Sequence, residues 1–414
     1  MAKKNSKKTV PDLRFRGFTD PWEQRQLGEV AQRVTRRNLN NECSRVLTAS
    51  AEAGLIDQQE YFQKRIASHD LSHYYLLKRG DFAYNHSSSG SAALGIIKRL
   101  EAYDFGCLST LYIIFHPKHG IDSDYLLHYF ESSAWHGDVA GMVTEGARNH
   151  GLLNISPDTF FTARCSFPSL PEQRRIGKFF TIFDSLIAAA ERQETLLRRK
   201  KQAYLQLMFP REGETQPRLR FAGFSGGWER RQLREVAVKT GSGGTPTSSN
   251  PRYYGGSIPF LGIGDINGRY VDTTQKTLTE EGVANSAAWI VPQGAISLAM
   301  YASYGKSAIL ARPMATSQAF FNIVFRSNVT RDFVFSRLQC AESRHEWDAL
   351  VSTGTQPNLS GSKLKKWTIG YPSLPEQHHI GEFFKVLDSL IAAAEERTKA
   401  LTALKSVYLQ RMFA

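Results

Sequence analysis

Several short segments of the chain have residue types and spacings that support catalysis in other proteins, but each is incomplete. Tyr304-Gly-Lys-Ser307 resembles the end of a phosphate-binding Walker A loop, yet Met300 stands where that loop needs its first glycine. Residues 262–268 spell G-x-G-x-x-x-G, which is one residue longer than the dinucleotide-binding fingerprint. His116 and His119 have the spacing of a ligand pair, but no third candidate ligand accompanies them. We therefore predict that the chain carries no catalytic residue and no metal site.

The remaining candidates are loops rich in glycine and in small polar, amide, aromatic and basic side chains, at 85–95, 240–256 and 353–362. Arg and Lys can read guanine, Asn and Gln can read adenine, and Ser, Thr and backbone amides can hold phosphates. The simpler alternative for each residue is a solvated or turn-forming role. In the first half of the chain we predict DNA contacts from Tyr84, Asn85, His86, Ser87, Ser88, Arg148 and Asn149. In the second half we predict them from Thr245, Tyr301, Tyr304, Lys306, Ser317, Gln318, Thr355, Gln356 and Asn358.

The elements that must position these loops are revealed by an internal duplication. An opening block is identical at 14 of 21 positions between its two copies, which lie 206 residues apart. A later block, which begins Ser-Leu-Pro-Glu-Gln, is identical at 17 of 23 positions at an offset of 204. Both copies of a third segment end in Met-Phe, again at an offset of 204. The three pairs are 11–31 with 217–237, 169–191 with 373–395, and 204–209 with 408–413.

The sequences between the repeated blocks, 32–168 and 238–372, have diverged. A preserved frame with divergent bodies indicates a scaffold that presents two different recognition surfaces. The alternative is an old duplication that drifted everywhere except in its core. The bodies read as strand-rich α/β (α+β), with helices expected near 122–135 and 331–350. Strands are expected at Phe82–Asn85, Thr110–Phe115, Ala295–Tyr301 and Ala319–Phe325.

The preserved extension of each repeat is predicted to be a long helix. Ser169 and Ser373 each open an S-x-x-E capping box, and Asp184-Ser185 and Asp388-Ser389 are possible breaks. Apolar residues step by four and three, as they do along a paired helix. Two helices of 41 residues, each about 60 Å long if unbroken, suit antiparallel pairing around a pseudo-two-fold axis, although each helix could instead pack only on its own body. The predicted pairing and docking residues are Ile176, Phe180, Phe183, Ile187, Leu197, Ile380, Phe384, Leu387, Ile391 and Leu401.

The predicted domain plan therefore has two strand-rich globular bodies separated by two long, antiparallel helices. The first body covers 1–168 and its helix 169–209. A linker at 210–218 joins it to the second body, 219–372, whose helix is 373–414.

Composition indicates the class of partner. The chain has 52 Lys and Arg against 39 Asp and Glu, a net charge of +13, which favours a polyanion such as nucleic acid. No run of 18 apolar residues occurs, so we expect no membrane association. The four cysteines are spread singly, as expected for reduced thiols in a cytoplasmic protein.

The doubled motif identifies a family resemblance. The pattern S-L-P-E-Q-x-x-I-x-x-F-F…D-S-L-I, followed by a long helix ending Tyr-Leu-Gln-x-Met-Phe and duplicated at about 200 residues, resembles the specificity (S) subunit of type I restriction-modification enzymes. The opening R-F-x-G-F-x-x-x-W-E-x-R-x-L-x-E-V-A is similar to the unit openings of that family. Segments 243–246, 254–256 and 355–358 resemble one widespread type of target recognition domain.

This resemblance implies that each body is a target recognition domain that reads one half of a split double-stranded DNA sequence. It also implies that the helices fix the spacer between half-sites and dock two methyltransferase (M) subunits, which two restriction (R) subunits can join. S-adenosylmethionine, ATP and Mg would then be bound by the partner subunits, and this chain would carry no cofactor. The alternative is a stand-alone nucleic-acid-binding scaffold without methyltransferase partners.

Overall fold

A computed structural model describes residues 10–39, 41–64, 67, 70–86, 93–143, 153, 155–352 and 358–413 of the chain. The chain forms two compact units. The first unit comprises Met1–Ala189 with Thr398–Ala414, and the second comprises Ala190–Arg397. Each of the two long helices therefore contributes one part to each unit.

The body of the first unit is built mainly from antiparallel strands. Its largest described sheet has the order β2-β9-β6-β7, and β1-β10, β3-β4 and β5-β8 form further antiparallel pairs. The strands are β1 Glu23–Gln26, β2 Ala31–Arg33, β3 Leu47–Ser50, β4 Gly54–Asp57, β5 Tyr75–Lys78, β6 Phe82–Asn85, β7 Ile96–Arg99, β8 Phe105–Leu108, β9 Tyr112–Pro117 and β10 Arg164–Phe167. The helices are α1 Leu27–Val30, α2 Gln58–Phe62, α3 Ser123–Glu131, α4 His136–Ala140, α5 Pro157–Phe161 and α6 Leu170–Leu207.

The body of the second unit contains a five-stranded sheet, β12-β20-β17-β18-β14, and a four-stranded sheet, β15-β13-β19-β16. The pairs β11-β23 and β21-β22 are separate. Its strands are β11 Glu229–Gln232, β12 Lys239–Gly241, β13 Tyr254–Phe260, β14 Tyr270–Val271, β15 Lys276–Leu278, β16 Trp289–Val291, β17 Ile296–Ala299, β18 Ser307–Leu310, β19 Met314–Thr316, β20 Phe320–Val324, β21 Val351–Ser352, β22 Asn358–Leu359 and β23 Thr368–Tyr371. Its helices are α7 Leu233–Val236, α8 Glu280–Ala284, α9 Asn328–Ser343, α10 Gly361–Lys366 and α11 Leu374–Phe413, with 3-10 turns at Pro251–Tyr253, Ile263–Asp265 and Glu346–Ala349.

The sequence blocks that are duplicated meet in space as one framework in each unit. The opening strand β1 pairs with β10, which leads into α6, and β11 pairs in the same way with β23, which leads into α11. Both opening tryptophans, Trp22 and Trp228, are 5% exposed. The repeated residues are therefore preserved because they build the joint between each opening strand and its long helix.

A buried ion pair closes this joint in both units. The Arg14 guanidinium donates two hydrogen bonds of 2.7 Å to the Glu172 carboxylate, and Arg220 donates bonds of 2.7 and 2.8 Å to Glu376. The two glutamates are 0% and 1% exposed, so these bidentate pairs replace water around the carboxylates. The sequence predicted these glutamates as members of capping boxes; the structure pairs each of them with an arginine that lies more than 150 residues away in sequence.

Each helix also approaches its own body through a glycine. A Cβ atom on Gly177 of α6 would lie 2.8 Å from the backbone nitrogen of Tyr125 in α3. On Gly381 of α11 it would lie 3.2 Å from the backbone nitrogen of Phe333 in α9. The repeated Ile-Gly dipeptide therefore allows a backbone approach that any larger residue would prevent.

The helices α6 and α11 are continuous, so the predicted breaks at Asp184-Ser185 and Asp388-Ser389 were wrong. The Ser185 and Ser389 hydroxyls donate to the carbonyl oxygens four residues earlier, at 2.9 and 3.0 Å, which accommodates both serines inside a helix.

In the first unit, the start of α6 packs against the end of α11. The Phe180 ring stacks on Phe413 with centroids 5.8 Å apart, and Phe183 contacts Tyr408 at 5.6 Å. As residue numbers increase along α6, the numbers of their contacts on α11 decrease, so the pairing is antiparallel. The Leu13 amide also donates to the Arg411 carbonyl at 2.9 Å, which holds the opening segment against the end of α11.

The second unit repeats this arrangement with the roles of the helices exchanged. Phe209, near the end of α6, stacks on Phe384 of α11 with centroids 6.0 Å apart, and Tyr204 contacts Phe383 at 5.0 Å. The Leu219 amide donates to the Leu207 carbonyl at 2.9 Å, as Leu13 does to Arg411. The Met-Phe end of each helix is thus buried in the core of the unit where the other helix begins.

The predicted fold class is confirmed: two strand-rich bodies and two long, antiparallel helices are present. Among the predicted pairing residues, Ile176, Phe180, Phe183, Ile380, Phe384, Leu387 and Ile391 are buried, whereas Ile187, Leu197 and Leu401 are half-buried. The predicted domain limits stay a prediction, because the compact units are divided inside the helices instead of at their ends.

Candidate nucleic-acid interface

Three loops of the second body and the start of β22 meet at one end of its five-stranded sheet. Gly241, which ends β12, pairs with Asn322, and Ala299, which ends β17, pairs with Phe320 at the start of β20. The segments that leave these strands therefore lie beside the turn that enters β20. The first residue of β22 joins them, because Asn358 forms a β-bridge with Tyr301. The predicted residues Thr245, Tyr301, Gln318 and Asn358 are therefore brought to one edge, which we call the loop edge.

Close backbone packing fixes the Gly-Gly-Thr segment on this edge. A Cβ on Gly243 would lie 1.8 Å from the carbonyl oxygen of Thr316, so only glycine fits there. The Gly243 amide donates to the Ser317 carbonyl at 3.2 Å, and the Thr245 hydroxyl donates to the Gln318 amide oxygen at 2.8 Å. Thr245 and Gln318 are both exposed, so a hydroxyl and an amide face solvent at a defined position.

A buried polar network supports the loop edge, and sequence reasoning missed it. Asn322 is 0% exposed; it donates to the Thr316 hydroxyl at 2.8 Å and accepts from the Ser297 hydroxyl at 2.7 Å. Buried amides with satisfied hydrogen bonds fix side-chain and backbone positions. The available signal was an asparagine in the middle of the apolar run AFFNIVF.

Ser317 was predicted to contact DNA, and the structure contradicts this prediction. It is only 8% exposed, and its hydroxyl accepts a 3.1 Å hydrogen bond from the Ala319 amide. It therefore forms the turn into β20 and does not present its side chain to a ligand.

Tyr304 and Lys306 lie on the turn between β17 and β18. The Tyr304 hydroxyl donates to the Asp348 carboxylate at 3.0 Å, which raises the pKa of Tyr304. Lys306 lines a cavity of about 820 Å³ that also contacts Lys201 on α6. The structure therefore places Lys306 at a cavity that it shares with α6 and does not group it with Thr245 and Gln318.

In the first body, Tyr84 is a core residue, so its prediction as a DNA contact was wrong. It is 0% exposed, stacks on Phe160 with centroids 4.6 Å apart, and donates its hydroxyl to the Leu94 carbonyl at 2.8 Å. Burial raises the pKa of this tyrosine. It lies on β6, where the rings of Phe160 and Trp135 cover its own ring.

The end of β6 is hydrogen-bonded to Leu153. The His86 carbonyl accepts from the Leu153 amide at 2.9 Å, and His86 Nδ1 lies 2.8 Å from the Leu153 carbonyl oxygen. Asn85 and His86 are half-buried at this end of the sheet. The predicted contacts Ser87, Ser88, Arg148, Asn149, Thr355 and Gln356 themselves lie outside the described residues.

Sequence reasoning also missed an exposed apolar pair on each helix. Ile182 and Leu186 of α6, in the first unit, are 50% and 39% exposed. Val386 and Leu390 of α11, in the second unit, are their repeat equivalents and are 55% and 47% exposed. We call these the helix patches. The sequence did contain a signal for these pairs: apolar residues that lie outside the buried stripe and recur at an offset of 204.

Among the described residues, a group with the composition of a metal site is already occupied by a lysine. His128, Glu131 and Asp184 place ligand atoms within 4.8 Å of one another. The Lys405 ammonium, however, lies 2.8 Å from Glu131 and 2.6 Å from Asp184, where a metal ion would compete with it. Burial opposes ionisation of Glu131, but His128 and Lys405 outweigh it and lower the pKa of Glu131 to about 2.

No helix in the described part of the chain has the length and apolar character needed to cross a bilayer.

Comparison with known proteins places these features in context. Residues 225–403 match a family model described as the type I restriction modification DNA specificity domain. The MjaIX specificity subunit of Methanocaldococcus jannaschii is 28% identical over 177 residues, 42% of this chain and 41% of that protein. The EcoR124I/EcoR124II specificity subunit of Escherichia coli is 25% identical over 235 residues, 55% of this chain and 54% of that protein. The matches thus span about half the length of these relatives.

Two solved structures share the fold over almost the whole chain. The type I restriction-modification system S subunit from M. genitalium has a TM-score of 0.59 at 14% identity, over 98% of this chain and 99% of that one. A chain from a structure concerned with complex assembly and conformational transition of the type I R-M system has a TM-score of 0.58 at 17% identity, over 96% and 99%.

Proposed function

We propose that this chain, whose resemblance to specificity subunits of type I restriction-modification enzymes is confirmed in sequence and in fold, is the DNA-reading subunit of such a complex. Each body reads one half of a bipartite double-stranded target. The helices set the spacing between half-sites and bind the methyltransferase subunits.

The observation that carries this proposal is the loop edge of the second body. Loops that are separate in sequence converge there and present a hydroxyl and an amide on a buried polar support. Direct readout needs hydrogen-bonding side chains held at fixed positions relative to base edges. Gln318 is the side chain best placed to donate to or accept from a base, and Thr245 holds its amide in position.

Two different half-sites follow from the way in which the repeats diverged. The frameworks retain the same strand pair, the same buried Arg–Glu pair and the same glycine contact. The bodies differ in their sheets, so the two surfaces that they present to DNA differ as well. A constant framework that carries two different bodies suits a target composed of two unlike parts.

The helix patches supply the proposed docking surfaces for the partners. Neighbouring exposed apolar side chains mark protein contacts more often than single exposed apolar residues do. Because the patches are repeat equivalents, they suit two copies of one partner, which we assign as the methyltransferase subunits. In this assignment the partners supply S-adenosylmethionine and methylate adenine, restriction subunits supply ATP- and Mg-dependent steps, and this chain supplies specificity.

Exchange of residues 238–372 for the second body of another specificity subunit tests the proposal. The chain is expressed with its methyltransferase partner, and the methylated sites of the host genome are sequenced. We expect one half-site to change while the other half-site and the spacer remain. A change in both half-sites would contradict the proposal that each body recognises its own half-site independently. Failure of any methyltransferase chain to co-purify would favour a stand-alone nucleic-acid-binding protein.

A further inference from the structure

Each long helix carries one lysine on its largely apolar stripe, which Glu194 of α6 and Thr398 of α11 also interrupt. Lys201 of α6 and Lys405 of α11 are repeat equivalents, 204 residues apart. Their side chains are only 16% and 12% exposed. A lysine is rarely this buried unless it is paired, because its ammonium loses hydration.

Both lysines reach across to an aspartate of the other helix. The Lys201 ammonium lies 2.5 Å from Asp388, and the Lys405 ammonium lies 2.6 Å from Asp184. The two aspartates are also repeat equivalents. The same interhelical ion pair therefore occurs once in each unit.

The body of each unit adds a further charged group to the pair. In the first unit, Glu131 of α3 lies 2.8 Å from the Lys405 ammonium. In the second unit, Arg269 donates to Asp388 at 3.0 Å and to Asp332 of α9 at 2.9 Å. Each ion pair thus connects α6, α11 and a body helix at one point.

We propose that the Lys201–Asp388 and Lys405–Asp184 pairs are positioning residues that fix the antiparallel register of the two helices. The apolar residues of the stripe recur every three or four positions, so a slide by one turn would bury similar side chains again. The same slide moves each ammonium about 5.4 Å from its aspartate, which breaks the interhelical ion pair of each unit. Single polar positions in a helix seam are known to select register in this way.

A consequence for DNA rests on the proposed function. If the helices set the spacing of the half-sites, a one-turn slide would change the spacer by roughly one to two base pairs at 3.4 Å per base pair. The two pairs would then be determinants of spacer length that contact no DNA.

Lys201→Met in the full chain tests the register directly. This change leaves no unpaired aspartate, since Asp388 keeps Arg269. Register is reported by oxidative cross-linking of cysteines placed at Arg198 and Ala392. These positions lie three residues before Lys201 and four after Asp388, so they face each other in the native antiparallel register. Cysteine pairs at Arg198 with Ser389 and at Arg198 with Glu396 report a slide of one turn in either direction. Every reporter lacks Arg198, so the contact of Arg198 with Glu395 is absent from all the chains that are compared. The native cysteines are all buried and do not interfere.

We expect Lys201→Met to lower the yield of the 198–392 cross-link at least twofold and to raise that of the 198–389 or the 198–396 cross-link. The matched control is Lys200→Met, one residue earlier on the exposed side of the helix, which should leave all three yields unchanged. Lys201→Arg keeps the charge and should retain the native pattern, which separates loss of register from loss of folding. Unchanged cross-linking in a folded Lys201→Met chain would overturn the proposal, because the apolar stripe alone would then fix the register.

The cross-linking result stands even if the chain recruits no methyltransferase, so the two proposals fail separately. In a working complex, methylated sites of Lys201→Met are expected to include new spacer lengths. Altered cross-linking with an unchanged spacer would uphold the register assignment and overturn its link to DNA spacing.

Discussion

At the scale of single residues, burial decides which polar side chains remain available for recognition. Thr245 and Gln318 are exposed on the loop edge, whereas Ser317, the residue before Gln318, forms a turn. Sequence identified these positions as a group because glycine and polar residues cluster there. Sequence could not show which of these residues are exposed, because Tyr84 and Ser317 differ from the exposed residues only in the groups that cover them in the fold.

Asn322 gives a test of the support beneath the loop edge. Replacing it with Leu leaves the Ser297 and Thr316 hydroxyls without their buried partner, which should lower the free energy of unfolding by about 1–3 kcal/mol. Urea denaturation measures this change. In the complex, methylation of sites defined by the second body should weaken while the first half-site is still selected. Asn267→Leu, at an exposed position, is the control and should change neither quantity; equal losses from both variants would contradict the supporting role of Asn322.

Glu131 gives a pH dependence. Its pKa is lowered from 4.5 to about 2 in the folded chain, so its ionised form stabilises the fold above pH 4.5. That stabilisation, roughly 3 kcal/mol, is lost as the pH falls from 4.5 towards 2. Urea titrations across this range should show the loss in the native chain. The titration of Glu131→Gln should lack that component, and an unaltered pH profile in this variant would disprove the assignment.

At the scale of elements, the long helices were the most predictable part of the chain, because their apolar period and their duplication are local patterns. Their ends and continuity were less predictable. Glu172 fits a capping box in sequence, but Arg14 lies 158 residues away and only the fold brings it near. Asp184-Ser185 looks like a break, but the serine bonds within the helix and the aspartate pairs with Lys405.

The buried Arg–Glu pair is expected to hold each opening segment to its helix. Arg220→Met leaves the Glu376 carboxylate buried without its guanidinium, which should cost about 3–5 kcal/mol of unfolding free energy. Thermal or urea unfolding measures the loss. Arg218→Met is a matched control, because its ion pair with Glu214 is half exposed and should contribute less than about 1 kcal/mol. Similar costs for the two variants would show that Glu376 is solvated after all.

At the scale of the whole molecule, duplication explains both the framework that the two units share and the sheets in which their bodies differ. The framework could be predicted from identity between repeats, since the same residues recur at a nearly constant offset. The sheets of the bodies could not, because their strands are short and pair in orders such as β12-β20-β17-β18-β14 that no local pattern specifies. The loop edge depends on that order, and so the candidate site emerged only with the fold.

The helix patches make a prediction about assembly. Val386→Glu or Ile182→Glu places a charge in one patch and should remove one methyltransferase subunit, while the double variant should remove both. Size-exclusion chromatography with light scattering measures the subunit count. Leu111→Glu changes a residue that is 60% exposed on the first body and serves as the control. Loss of both subunits from either single variant would contradict two independent docking surfaces.

The bonds from Leu13 to Arg411 and from Leu219 to Leu207 have the same length and join equivalent residues. Each bond joins the opening segment of one repeat to the end of the long helix that belongs to the other repeat. Each unit is therefore completed by parts of both repeats. Neither half of a chain divided at 210–218 is expected to be stable as a monomer, because each body would lack the helix end that packs against it.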